Sequence, residues 1–138
     1  MSDDYREIVN AMSAYSYAVD KSDWKILERA YYEGTKHINA TGEVINGISA
    51  FVKYRQSKEP DELRELLHVP ANLLVDIDGD RATSLANFMY LGRTDPQAPW
   101  TILSLGAYRD EFIRLDIGWR FAVREIVSFR TKDARTWQ

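Results

Sequence analysis

An α+β fold is what this sequence predicts, with helices first and an antiparallel meander afterwards. Three observations carry it. Apolar residues recur at three- and four-residue spacing through the first third of the chain, which is the helical period. From His68 onward the pattern becomes strand-like over four long segments. Tight-turn residues, Asp78-Gly79 and Asp116-Ile117-Gly118, join two pairs of those segments. Three helices laid on one long curved sheet make a half-open cone, and the mouth of a curved sheet is a natural ligand site.

The elements follow in order. Ile8, Met12, Tyr15 and Val19, with Ala11, Ala14 and Ala18 beside them, define a first helix. Lys21-Ser22-Asp23 breaks it, with Ser22 expected to cap the next helix and Asp23 in its first turn. Trp24, Leu27 and Tyr31 then form a short second helix that ends near Gly34. Residues 35–46 read as two short strands around a Thr41-Gly42 turn. Ile48, Phe51, Val52 and Arg55 make a third helix after Gly47, and Pro60 suits the first position of a helical turn, PDELRELL. The four long segments are HVPANLLVDI, RATSLANFMYLGR, WTILSLGAYRDEFIRL and WRFAVREIVSF, with TDPQAP as a longer loop. Pro70 cannot donate to a strand ladder, so a bulge or a sheet edge is expected there. Ala82, Ser84, Ala86, Phe88 and Tyr90 share one face of the second long strand; Thr83, Leu85, Asn87, Met89 and Leu91 share the other.

Composition narrows the function. A chain of 138 residues is one domain's worth, here residues 1–138, and 45% hydrophobic with 28% charged residues is enough to build a packed core. The net charge of −3 gives no basic face, so no nucleic-acid partner is expected. Without cysteine there is neither disulfide nor thiol chemistry. The acidic start MSDDYREIV lacks the apolar stretch of a signal peptide, and no apolar run is long enough to span a membrane; a cytoplasmic location is the expectation. Two histidines in no ligand-spaced cluster make no metal site, and no glycine-rich phosphate loop is present, so no metal and no cofactor are expected.

The strings YSYAVDKSDWKIL, NGISAFVKY, HVPANLLVDIDGDRAT and GAYRDEFIRLDIGWRFAVREI together resemble the SnoaL-like group of the nuclear transport factor 2-like superfamily, over roughly residues 4 to 130. Scytalone dehydratase, bile acid dehydratase and hexachlorocyclohexane dehydrochlorinase belong to that wider group. The resemblance implies a cone-shaped α+β barrel, with about three N-terminal helices on one curved, mostly antiparallel sheet, around a deep apolar cavity. It implies pairing of an Asp at the end of the first helix with a His at the start of the first long strand, here Asp20 and His68. Tyr15 matches a tyrosine of the bile acid enzyme, whereas Ser128 stands where that enzyme has a late-strand arginine, with Arg124 and Arg130 nearby. Scytalone dehydratase carries a second active-site histidine on the following strand; this chain has only His37, on a short early strand. The family assembles as dimers or trimers, so a homodimer or homotrimer is expected, its contact made by apolar residues of the outer sheet face such as Leu85, Met89, Leu103 and Leu105.

A neutral imidazole is a competent base near pH 7, and a carboxylate on its far nitrogen fixes the tautomer and stabilises the imidazolium. That pair suits proton abstraction next to a leaving group or carbonyl: dehydration, dehydrohalogenation or double-bond isomerisation of a small apolar, aromatic or polycyclic molecule. Asp20 and His68 are the candidate catalytic residues; Tyr15, Tyr54, Phe88, Tyr90, Tyr108 and Ser128 are the candidate substrate-binding ones. The residue types allow other roles. Asp20 also suits a turn or cap, and His68 a packed histidine on a backbone carbonyl. Tyr15 sits about 140° round an ideal helix from Asp20, and His37 reads as a solvated or core-edge histidine. A non-catalytic binding or assembly module, or a polyketide-cyclase-like enzyme, stands as the alternative on the same fold.

Overall fold

The computed structural model describes residues 3–58 and 65–129. Helix α1 (Asp4–Lys21) buries Ile8, Ala11, Met12, Tyr15, Ala18 and Val19 along one stripe. It ends at Ser22, which takes the left-handed conformation at φ 52° and returns its N–H to the Ala18 carbonyl. Ser22 is therefore the C-cap of α1 and not the N-cap of the next helix. That cap is Asp23, whose carboxylate accepts the Ile26 N–H at 3.3 Å. Helix α2 (Trp24–Leu27) is one turn long. It stops before Tyr31 because the chain from Glu28 to Tyr31 runs as successive turns that seal Ala30 and Tyr31 into the core.

Strands β1 (Lys36–Ile38) and β2 (Val44–Asn46) form the expected hairpin, and Gly47, at φ 92°, leads into α3 (Ile48–Ser57). The third helix turns Phe51 into the core. Strand β3 (Glu65–Asp78) starts three residues earlier than the sequence suggests. Glu65, Leu66 and Leu67 pair with Arg93, Gly92 and Leu91, so the last three residues of PDELRELL are strand and not helix; Pro60 and residues 61–64 lie outside the described residues. Ladder bonding to a neighbouring strand overrides a local helical pattern here. Strands β4 (Arg81–Arg93), β5 (Thr101–Leu115) and β6 (Gly118–Ser128) complete the meander.

The six strands run in the order β2-β1-β6-β5-β4-β3, antiparallel except where β1 lies parallel to β6. The sheet does not close on itself; β3 is its edge, which is where Pro70 can sit without breaking a ladder. Between Ala71 and Leu74 β3 carries a bulge with Asn72 at φ 56°. His68 and Val75 are seven residues apart and would face opposite sides of a regular strand. The bulge adds one residue, so His68 faces the cavity while Val75 packs on the core.

Inward residues of the sheet meet the helices over one core, in which Leu27, Phe51, Tyr108, Phe112, Trp119 and Phe121 are fully buried. The expected inner face of β4 holds: Ala82, Ser84, Ala86 and Phe88 are buried, and Thr83, Asn87 and Met89 are exposed. On the outer face Met89 and Leu105 are open to solvent, whereas Leu85 and Leu103 are half-buried. Among the described residues no helix is long and apolar enough to cross a membrane. The tail RTKDARTWQ, with Arg130 and Trp137, lies outside the described residues.

Candidate active site

The last turn of α1 delivers Asp20 to the first third of β3. Its Oδ1 accepts the His68 Nδ1–H at 2.5 Å, and its Oδ2 accepts the His68 backbone N–H at 3.0 Å. One carboxylate thus grips one residue at ring and main chain together. A negative charge at a helix C-terminus opposes the dipole; here two N–H donors compensate it. Asp20 plays no part in capping α2, which Asp23 does. The side chains of Asp20 and His68 are only 5% and 12% exposed, so water competes little for the bond.

With Nδ1 committed as donor, a neutral His68 keeps its lone pair on Nε2. Among the described residues Nε2 has no hydrogen-bond partner, and His68 lines a cavity of about 540 Å³. Its ring packs against Tyr90, centroids 4.4 Å apart, and meets the edge of Tyr15 at 6.4 Å. Asp20 is not in the cavity wall; it stands behind His68.

All six candidate binding residues, Tyr15, Tyr54, Phe88, Tyr90, Tyr108 and Ser128, line this cavity. Tyr15 does so because the cavity wraps the inner face of α1, despite the wide angle from Asp20; it is 3% exposed. The hydroxyls of Tyr15 and Tyr108 have no hydrogen-bond partner among the described residues, and both residues line the cavity. Burial pushes both phenols up against the pull of Arg124, which keeps them protonated donors.

His37 is not solvated. It is 2% exposed, because the parallel pairing of β1 with β6 sets it against Arg124 and draws the short strand into the core. Its Nδ1 lies 2.7 Å from Tyr31 Oη and its Nε2 2.9 Å from Asn39 Oδ1. Burial lowers its pKa to about 4, so the ring is neutral at pH 7. His37 and Asn39 both line the cavity, as does Arg55 of α3. The sequence reading passed over Asn39; its i+2 spacing from His37 on a strand was the available signal.

Arg124 of β6 does more than neighbour Ser128 in the sequence. It is fully buried and donates from Nε and Nη2 to the two carboxylate oxygens of Asp110, at 2.9 and 3.1 Å. Its guanidinium carbon lies 3.6 Å from the Tyr108 ring centroid and 4.5 Å from that of Tyr15. Burial works against this charge, but Asp110 and the phenols outweigh it and hold the guanidinium above its ordinary pKa. Arg124 thus supports two cavity-lining rings from behind. Among the described residues no cluster of three or more His, Asp or Glu side chains is arranged to hold a metal ion.

Solved structures share this architecture. An NTF2-like protein with a cystatin-like fold from Novosphingobium aromaticivorans is 20% identical, with 95% of this chain and 85% of that one covered at a TM-score of 0.82. A provisionally assigned scytalone dehydratase from the same organism is 23% identical over 96% and 89% of the two chains, TM-score 0.76. A type 2 hexachlorocyclohexane dehydrochlorinase is 16% identical over 91% and 84%, TM-score 0.76. At these identities the likeness is one of fold. No curated protein matches the sequence. The family model for the SnoaL-like domain covers residues 1–125, and with the fold it accompanies it settles the assignment: the chain belongs to the SnoaL-like domain family.

Proposed function

We propose that the protein is a cofactor-independent lyase or isomerase that removes a proton from a small, largely apolar molecule. His68 is the general base through Nε2, and Asp20 holds the ring and stabilises the imidazolium. The observation that carries this reading is the Asp20–His68 hydrogen bond, with the other imidazole nitrogen unpartnered at the wall of an aromatic-lined cavity. Two of the similar folds belong to proteins named for elimination chemistry, which agrees with it. A cavity of about 540 Å³ accommodates a bicyclic or polycyclic ligand. A cyclase working through a carboxylate would need Asp20 facing the ligand, and it stands behind His68.

The test is exchange of the acidic α protons of β-tetralone for deuterium, followed by proton NMR. The wild-type protein should exchange them well above the buffer rate. His68→Ala should fall to that rate, and Asp20→Asn by about a hundredfold or more, since general-base terms are worth about 10²–10⁴. Exchange at the buffer rate in the wild type, or exchange that survives in His68→Ala, overturns the reading.

Self-association into a homodimer or homotrimer is part of the same proposal. It is supported by the exposed apolar side chains of Leu74, Met89, Ile102 and Leu105. Sedimentation of a monomer at micromolar concentration would remove it.

A further inference from the structure

We propose that Arg55 is an anion-recognition residue, and that the ligand of this cavity is an apolar ring system carrying a carboxylate, which Arg55 holds at the mouth. This names a substrate class for the site at which His68 is read as base, and only its catalytic consequence rests on that reading. Phe51, Tyr54 and Arg55 stand at i, i+3 and i+4 of α3, which is one helical face, and all three line the cavity. Lys53, Gln56 and Lys58 are exposed. A cation in the last turn of a helix complements the dipole, but an exposed position would serve that purpose as well. Arg55 is instead half-buried on the inward side.

Charge is distributed one-sidedly around this cavity. The chain as a whole carries more acid than base, with a net charge of −3. Yet among the described lining residues there is no Asp or Glu, and Arg55 is the only Arg or Lys. Its guanidinium makes no ion pair or hydrogen bond among the described residues. The carboxylates that stand behind the wall are spent elsewhere: Asp20 on His68, Asp110 on Arg124, and Glu43 on Asn39 Nδ2 at 3.4 Å. Burial is the main influence on the Tyr15 phenol and the His37 imidazole, raising the first and lowering the second, and the Arg55 charge pulls down on both. That charge therefore reaches inward, to α1 on one side and β1 on the other. A cation turned into an aromatic cavity without a counterion is costly to desolvate, and an anionic ligand removes that cost.

The substrate class follows from how the lining is divided. Ala40 and Thr41 line the cavity and are open to solvent, so the mouth lies beside the β1–β2 turn. Asn39 Nδ2 donates to Tyr54 Oη at 3.1 Å and ties that turn to α3, where Arg55 is the next residue. Further in, Phe88 and Tyr108 are buried and stacked with centroids 4.5 Å apart, and Tyr90 packs on His68 at 4.4 Å. The cavity is thus polar and positive at its rim and aromatic within, the complement of a ring system with an acid group at one end. The planar guanidinium fork matches a carboxylate through two parallel charge-assisted bonds. Held by that end, the ring system lies among the aromatic side chains and against the His68 imidazole.

Calorimetric binding of 2-naphthoate and of 2-naphthamide, nearly the same shape without the charge, tests the assignment at neutral pH and low salt. The wild-type protein should bind the acid at least about tenfold more tightly, the worth of a hydrogen bond between charged groups. Arg55→Met keeps the apolar stem and drops the charge. There the preference should shrink to within about threefold, while 2-naphthamide binds as before, which also shows that the variant is folded. Lys58 lies over the Tyr54 ring at 4.8 Å and is a second cation near the mouth, so Lys58→Met should leave the preference in place. A preference that survives in Arg55→Met, or that is lost as fully in Lys58→Met, overturns the proposal. If Arg55 served only the end of α3, both ligands would weaken together and the ratio would stand, which overturns it too. So does a wild type that binds both equally or binds neither. His68→Ala should lose α-proton exchange from β-tetralone and keep the preference for the acid. A tenfold preference without exchange in the wild type would sink the base and leave Arg55 standing; exchange without the preference would do the reverse.

Discussion

Asp20 spends both carboxylate oxygens on His68, one on the ring and one on the main chain. Its loss therefore reaches stability as well as chemistry. Asp20→Ala leaves a half-buried backbone N–H and a ring N–H unpaired, and should cost about 1–3 kcal/mol in urea unfolding. Asn at this position can still accept one of the two bonds, so Asp20→Asn should lose less stability while it disturbs the imidazole. A stability loss in Asp20→Asn equal to that of Asp20→Ala would mean that the second oxygen does nothing for the fold.

Across the strands, Ser84, Asp110 and Arg124 stand directly opposite one another on β4, β5 and β6. They form a buried polar line in an otherwise apolar wall: Ser84 Oγ donates to Asp110 at 3.3 Å, and Arg124 grips the same carboxylate with two bonds. Removing one partner strands the other charge in the core. Arg124→Met should destabilise by about 3–5 kcal/mol, whereas the double replacement Asp110→Leu with Arg124→Met should recover most of that. A double variant no more stable than the single one would show that the pair does more than balance its own charge. The neighbouring strand pair depends on Gly106. A methyl there would collide with the Val127 carbonyl oxygen and come within 2.6 Å of the Phe88 ring, so Gly106→Ala should cost about 1–3 kcal/mol by overpacking. Thermal melting checks it; an unchanged midpoint would mean that β5 and β6 shift apart freely.

The molecule as a whole carries one buried histidine without a carboxylate partner, and this sets part of its acid response. The folded pKa of His37, about 4, lies below its ordinary 6.5, so between those values the unfolded chain binds the extra proton. Stability on this account is full above pH 6.5, falls as pH drops towards 4, and levels off below it. The span corresponds to a loss on the order of 3 kcal/mol. His37→Gln cannot titrate, so the difference in urea midpoint between it and the wild type should depend on pH through that window. A difference that stays constant from pH 7 to pH 4 would mean that His37 is protonated in the folded state as readily as in the unfolded one.

Periodicity and turn residues alone are enough to read the order and kind of nearly every element, and the inward face of β4 from Ala82 to Tyr90. Side-chain period and turn residues are local properties, so they can be read without the fold. Local pattern misplaces the Ser22 cap, the length of α2 and the start of β3, all of which hydrogen bonds to distant or neighbouring turns decide. What stands at the cavity depends on long-range packing instead. The β3 bulge turned His68 inward, the parallel β1–β6 pair buried His37 and brought Asn39 to the wall, and cross-strand register joined Arg124 to Asp110. Each is a contact between residues far apart in the chain, and a one-residue change in register would have reversed every side chain involved.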